Sequence, residues 1–119
     1  MKRLLFDVNV VLDVLLDRKP FADASAAAWS AVERGDAEGL LSAHAVTTLH
    51  HLNAKSVGIR TATETTEALL SVFEDAVTAA GARRSKCDAV VTRNPRDFKG
   101  AALRILTPSE AVAWIETSA

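Results

Sequence analysis

The order of its apolar runs constrains this chain more than any other feature. Leu4-Leu5-Phe6, Gly39 to Ser42, Ala89-Val90-Val91 and Leu103 to Leu106 are short, and stretches with helical spacing separate them. Short apolar runs of this kind read as strands buried on both faces, where no polar alternation is needed. Strands alternating with helices predict an α/β fold, a three-layer sandwich on a mostly parallel sheet. At 119 residues the chain has room for one domain, taken as 1–119.

The helical stretches follow from spacing and caps. Val10 to Leu16 reads as a helix with Asn9 as its cap. Phe21, Ala24, Ala28 and Val32 place a second helix over Pro20 to Arg34, with Pro20 in its first turn and Gly35 as its stop. Ala45 to Lys55 is a third, ended by Gly58. Ala62, Leu69, Phe73, Ala76 and Ala80 fall on one stripe, which predicts a continuous helix from about Thr61 to Arg84. Such a helix would be roughly 35 Å long, close to the width of the whole domain. Asn94-Pro95-Arg96-Asp97 is a turn by composition. Thr107, Pro108 and Glu110 form the start of a last helix, with a cap, a first-turn proline and a reciprocal glutamate.

Composition removes several function classes. With 49% apolar residues a core can be built. A net charge of -1 excludes a generally basic nucleic-acid coat, though not a local basic rim. The single cysteine, Cys87, excludes an intrachain disulfide and a cysteine-based zinc site. Aromatic residues are 5% with no tyrosine, which argues against base-stacking platforms. No apolar run approaches a membrane span, and Met1-Lys2-Arg3 leads into a strand rather than a leader peptide, so a cytoplasmic location is expected. His50 and His51 point apart on a helix, and His44 with His51 lacks a third zinc ligand.

Chemistry is expected where strands end. Asp7 directly follows an apolar strand, and ligand crevices of parallel sheets lie beyond the carboxyl ends of their strands. A cap or turn aspartate is the equal alternative from position alone. Asn94 and Asp97 follow Ala89-Val91 and emerge at the same edge if the two strands are parallel neighbours. Carboxylates and an amide at one edge suit Mg²⁺, which takes oxygen ligands and keeps several waters. Glu74 and Asp75 fall in the long helix, and Asp75 lies on the flank of its apolar stripe, where a solvated carboxylate is the plain reading. Arg83, Arg84, Lys86, Arg93, Arg96 and Lys99, with Arg18 and Lys19, are basic residues suited to holding phosphates around an acidic centre.

Three segments together resemble a known family. Leu5-Phe6-Asp7-Val8-Asn9-Val10-Val11-Leu12-Asp13, then Phe73-Glu74-Asp75-Ala76-Val77, then Asp88 through Phe98 are similar, in the same order, to the PIN domain. That family includes the VapC-type toxins of bacterial toxin–antitoxin pairs, which are Mg²⁺- or Mn²⁺-dependent ribonucleases. The resemblance implies metal carboxylates at Asp7, Asp75 and Asp97, with Asn94 beside the last. It implies supporting polar positions at Asn9 and Asp13, and RNA contacts from Arg93, Arg96 and Lys99. The implied partners are RNA and a cognate antitoxin. A degenerate domain that binds RNA or a partner without cutting is the alternative.

Two departures stand out. Aligned by the resemblance, Thr48 falls where the family places its second acid. The run Leu70-Ser71-Val72-Phe73-Glu74-Asp75 fuses regions that a strand and a helix usually separate, so one βα segment is missing between residues 70 and 73. A single helix across this junction either kinks near Ser71 or packs its second half on a partner, which leads to the expectation of a domain-swapped homodimer. Phe6 to Leu12 is also similar to the nucleophile loop of haloacid-dehalogenase-type phosphatases, where an aspartate stands at the position of Asn9. The chain has no room for that family's cap and later lysine motif.

Overall fold

The computed structural model describes residues 2–76, 87–98 and 103–117. The elements in chain order are β1 (Arg3–Phe6), α1 (Val8–Leu15), α2 (Ala22–Glu33), β2 (Glu38–Ser42), α3 (Ala43–Val57) and α4 (Ile59–Leu70). They continue with β3 (Phe73–Ala76), β4 (Ala89–Val91), a 3₁₀ turn (Pro95–Phe98), β5 (Arg104–Leu106) and α5 (Pro108–Glu116). All strand pairs are parallel, in the order β3-β2-β1-β4-β5.

Both faces of the sheet are buried along its central strands β1 and β4 and much of β2, as a parallel sheet requires. On one face Leu4, Phe6, Leu41, Phe73, Val91 and Leu106 join Val10, Val11 and Leu12 of α1, Ala28, Ala31 and Val32 of α2, and Ala111 and Ile115 of α5. On the other, Leu5, Leu40 and Val90 are equally enclosed and pack with Cys87 and Leu103. The expected three-layer α/β sandwich is the observed architecture.

The chain winds outward from β1 twice, through β2 to β3 on one side and through β4 to β5 on the other. The β1–β4 boundary is therefore the point where the winding changes direction. Register across it aligns Leu4 with Ala89, Leu5 with Val90 and Phe6 with Val91. The first residues past the two strands, Asp7 and Thr92, thus arrive side by side, at the place where open parallel sheets hold ligands.

The long helix expected over Thr61 to Arg84 ends instead at Leu70. Ser71 and Val72 turn the chain, with Ser71 N–H bonding to the Ala68 carbonyl and Val72 N–H to the Leu69 carbonyl. The Phe73-Glu74-Asp75 motif then forms β3 and pairs with β2, Leu41 opposite Asp75. Residues 77–84 of the expected helix lie outside the described residues, as do Lys86 and Lys99. The cause of the break is tertiary. Phe73 packs edge-on against Phe6 at 5.0 Å and against Trp29 at 5.4 Å between centroids. It also lies directly over Gly39, where a Cβ would meet its Cδ1 at 2.5 Å. Only a glycine on β2 admits the ring.

This correction removes the reason for a domain swap. The helix stops at Leu70 and Asp75 stands on β3, so no straight helix runs through Asp75 toward a partner. Two boundaries also move. Asp7, not Asn9, is the cap residue of α1, which starts at Val8. Pro20 precedes α2, which begins at Ala22 rather than at the proline.

Candidate active site at the carboxyl edge of the sheet

Asp7 sits at the cap position of α1 but does not cap it with its side chain. Its backbone N–H continues the sheet by bonding to the Val91 carbonyl at 2.9 Å. Its carboxylate turns toward β4, and Oδ2 accepts a hydrogen bond from Thr92 Oγ1 at 2.9 Å. The same hydroxyl oxygen accepts from the Asn94 backbone N–H at 3.1 Å. Thr92 is fully buried, so this short relay fixes both the Asp7 carboxylate and the start of the 94–97 turn. Thr92 is absent from the sequence-based candidates. Its signal was present: like Asp7, it is the first polar residue after an apolar strand.

A second group lies beneath. Asp13 faces inward from α1 with 0% exposure. Its Oδ1 stands 3.0 Å from Arg18 Nε and its Oδ2 3.6 Å from Arg93 Nε. Ser25 Oγ approaches Oδ2 at 3.5 Å, the outer limit of a hydrogen bond. The two guanidinium contacts are ion pairs rather than aligned hydrogen bonds. Arg18 also donates from Nη2 to the Asn9 carbonyl at 3.2 Å and to Asn9 Oδ1 at 3.3 Å. Arg93 stacks on the Phe21 ring, 4.1 Å from guanidinium carbon to centroid. Asn9 and Asp13 are therefore tied to arginines.

The other candidates are more dispersed. Thr48 is half-buried on α3, and among the described residues no hydrogen bond or ion pair joins it to Asp7. Asp75 stands on β3, separated from β1 by β2, about 10 Å at the usual strand spacing. Asn94 and Arg96 are exposed, and Arg96 and Asp97 belong to the 3₁₀ turn after β4. Among the described residues no group of three or more His, Cys, Asp or Glu is placed to hold a metal ion.

A family model for the PIN domain matches residues 3–74, more than half of the chain. The chain belongs to the PIN-domain family. Comparison with curated proteins and with solved structures found no match. The PIN-domain match contains Asp7, Asn9, Asp13 and Thr48 and stops one residue short of Asp75. PIN domains are of nuclease type, act in general on RNA and generally depend on a divalent metal. No helix among the described residues is long and apolar enough to cross a membrane.

The residues present suit a hard, well-hydrated cation. A carboxylate offers about four acceptor positions. Thr92 uses one of those on Asp7. Mg²⁺ retains several waters and needs only one or two carboxylates from the protein. Asp7 offers one carboxylate at this edge, while Asp75 lies on β3 and Asp97 in the 3₁₀ turn after β4.

Proposed function

We propose that this chain is a metal-dependent endoribonuclease of the VapC toxin type that hydrolyses RNA phosphodiesters. The observation that carries the reading is the Asp7 carboxylate, freed from capping and oriented by Thr92 at the point where the sheet changes winding direction. Asp7, Asp75 and Asp97 are the residues that would hold Mg²⁺ or Mn²⁺. Bound there, the ion supplies Lewis-acid stabilisation of the phosphoryl oxygens and a more acidic water. The chain's own residues do the rest. Thr92 keeps Asp7 in one orientation, while Asn94 borders the site from the turn. Arg93, Arg96 and Lys99 neutralise phosphates around the acidic centre.

An antitoxin and a second copy of the chain are the proposed protein partners. Leu52, Val57, Ile59 and Leu70 support a covered face on the α3–α4 pair, being large, apolar and exposed. A second reading, RNA binding without cleavage, is favoured by Thr48 at the family's second acidic position. One experiment separates the two. Labelled single-stranded RNA is incubated with the purified protein and Mg²⁺ or Mn²⁺. Cleavage that stops with EDTA, returns with excess metal and is lost in Asp7→Asn supports the nuclease. RNA retention with intact RNA supports the binding protein, and cleavage surviving Asp7→Asn defeats both.

A further inference from the structure

The geometry points to a phosphate subsite built from Arg18 and Arg93, gathered beside Asp7 by the buried carboxylate of Asp13. The inference rests on the reading above, in which the ligand at this edge is RNA, and it names the groups that grip the RNA backbone.

The charge balance is the first observation. Asp13 is fully buried, and both its oxygens face guanidinium groups. One arginine would neutralise it. The second is a further positive charge held close to the first, and a bound anion would ease the repulsion between them. Neither arginine forms an ion pair with Asp7, which takes its hydrogen bond from Thr92.

Exposure and direction are the second. The two arginine side chains are 34% and 21% exposed, so they are anchored from within yet open outward. Arg18 contacts Asn9, two residues past Asp7. Arg93 follows Thr92, whose hydroxyl holds Asp7. The two arginines are thus anchored on the two segments, α1 and the loop after β4, whose ends meet at Asp7. A guanidinium has five N–H donors in a planar fork. The contacts described engage Nε and Nη2 of Arg18 and only Nε of Arg93. Stacking on Phe21 sets the plane of Arg93. Remaining donors in a fixed plane suit the bidentate capture of a phosphate. Asp13 acts through the arginines and is a positioning residue.

The test uses the intact protein and two probes. Inorganic phosphate is titrated at constant ionic strength, with chloride as control, while the arginine Nε–H signals are followed by NMR. Saturable movement of the Arg18 and Arg93 signals supports the subsite, and no movement beyond the chloride control overturns it. Single-stranded RNA binding to Asp7→Asn is then measured against salt. Removing either arginine by Arg18→Gln or Arg93→Gln should weaken binding about tenfold and lower the salt slope by about 0.7. Arg18→Lys should keep the slope. A slope unchanged in both glutamine variants overturns the assignment, and so does a phosphate response that RNA does not reproduce. Failure of the nuclease reading looks different: RNA stays uncut with metal while the arginine signals still respond to phosphate.

Discussion

Thr92 and Asp7, 85 residues apart in sequence, are joined by a 2.9 Å hydrogen bond between hydroxyl and carboxylate across the β4–β1 boundary. Among the described residues Thr92 is the donor to this carboxylate, so its orientation depends on that hydroxyl. Thr92→Val keeps the shape and removes the donor. On the proposed nuclease reading, in which Asp7 holds the metal, it should lower the cleavage rate by about tenfold to a hundredfold, as loss of a group that orients a metal ligand does. Stability should fall by about 1 kcal/mol. Thr92→Ser should retain most of the rate. Equal rates for the valine and serine variants would show that the hydrogen bond is irrelevant to the chemistry.

Asp13 is fully buried and faces two guanidinium groups. Asp13→Ala leaves two guanidinium groups facing a buried gap. Breaking a buried pair costs about 3–5 kcal/mol. The partial exposure of both arginines lets water reach them, so a loss of about 2–3 kcal/mol is expected. Urea unfolding monitored by circular dichroism measures it. A loss below about 0.5 kcal/mol, the level of an ordinary surface change, would remove Asp13 from this role.

Gly39 is required by its neighbour and not by its own backbone angles. A methyl group there would stand 2.5 Å from Phe73 Cδ1 and 2.9 Å from Val32 Cγ1. Gly39→Ala should destabilise the protein by about 1–3 kcal/mol, the usual cost of overpacking. Trp29 touches Phe73 and so reports the displacement. Its fluorescence, read in a Trp114→Phe background, should change in the alanine variant.

The last helix carries a pH-dependent lock. Thr107 N–H donates to Glu110 Oε1 at 2.9 Å, and Glu110 N–H donates to Thr107 Oγ1 at 3.2 Å. The hydrogen bond from the Thr107 backbone, then that from its side chain, hold the Glu110 carboxyl below the ordinary 4.5. A carboxyl lowered by folding adds stability that is complete above its unfolded value and disappears as pH falls through the lowered folded value. Glu110→Gln should therefore be less stable than the parent at neutral pH and converge with it in strong acid. Thr107→Ala should cost about 1 kcal/mol at neutral pH. Urea midpoints across pH check both, and a gap that widens in acid would contradict the assignment.

Legibility from sequence followed locality. Asp7 was visible because the apolar run Leu4-Leu5-Phe6 stops abruptly at a charged residue, and β4 repeats the pattern. The capping box at Thr107 and Glu110 is likewise contained in four consecutive residues. β3 was hidden. Phe73 and Ala76 fit the stripe of the preceding helix, and a strand of four residues is too short for its alternation to compete. What decides it is Phe73 meeting Phe6, Trp29 and Gly39, contacts that no local pattern encodes. The partnership of Asp13 with Arg93 was hidden for the same reason, being an encounter between α1 and the loop after β4.

Because one enclosed carboxylate holds two distant stretches of chain together, Asp13, Arg18 and Arg93 are under a constraint that does not depend on turnover. A descendant of this chain that was free to lose Asp7 would still keep this trio for its shape. Retention of the trio in a relative is then a mark of intact architecture, whatever residue follows β1.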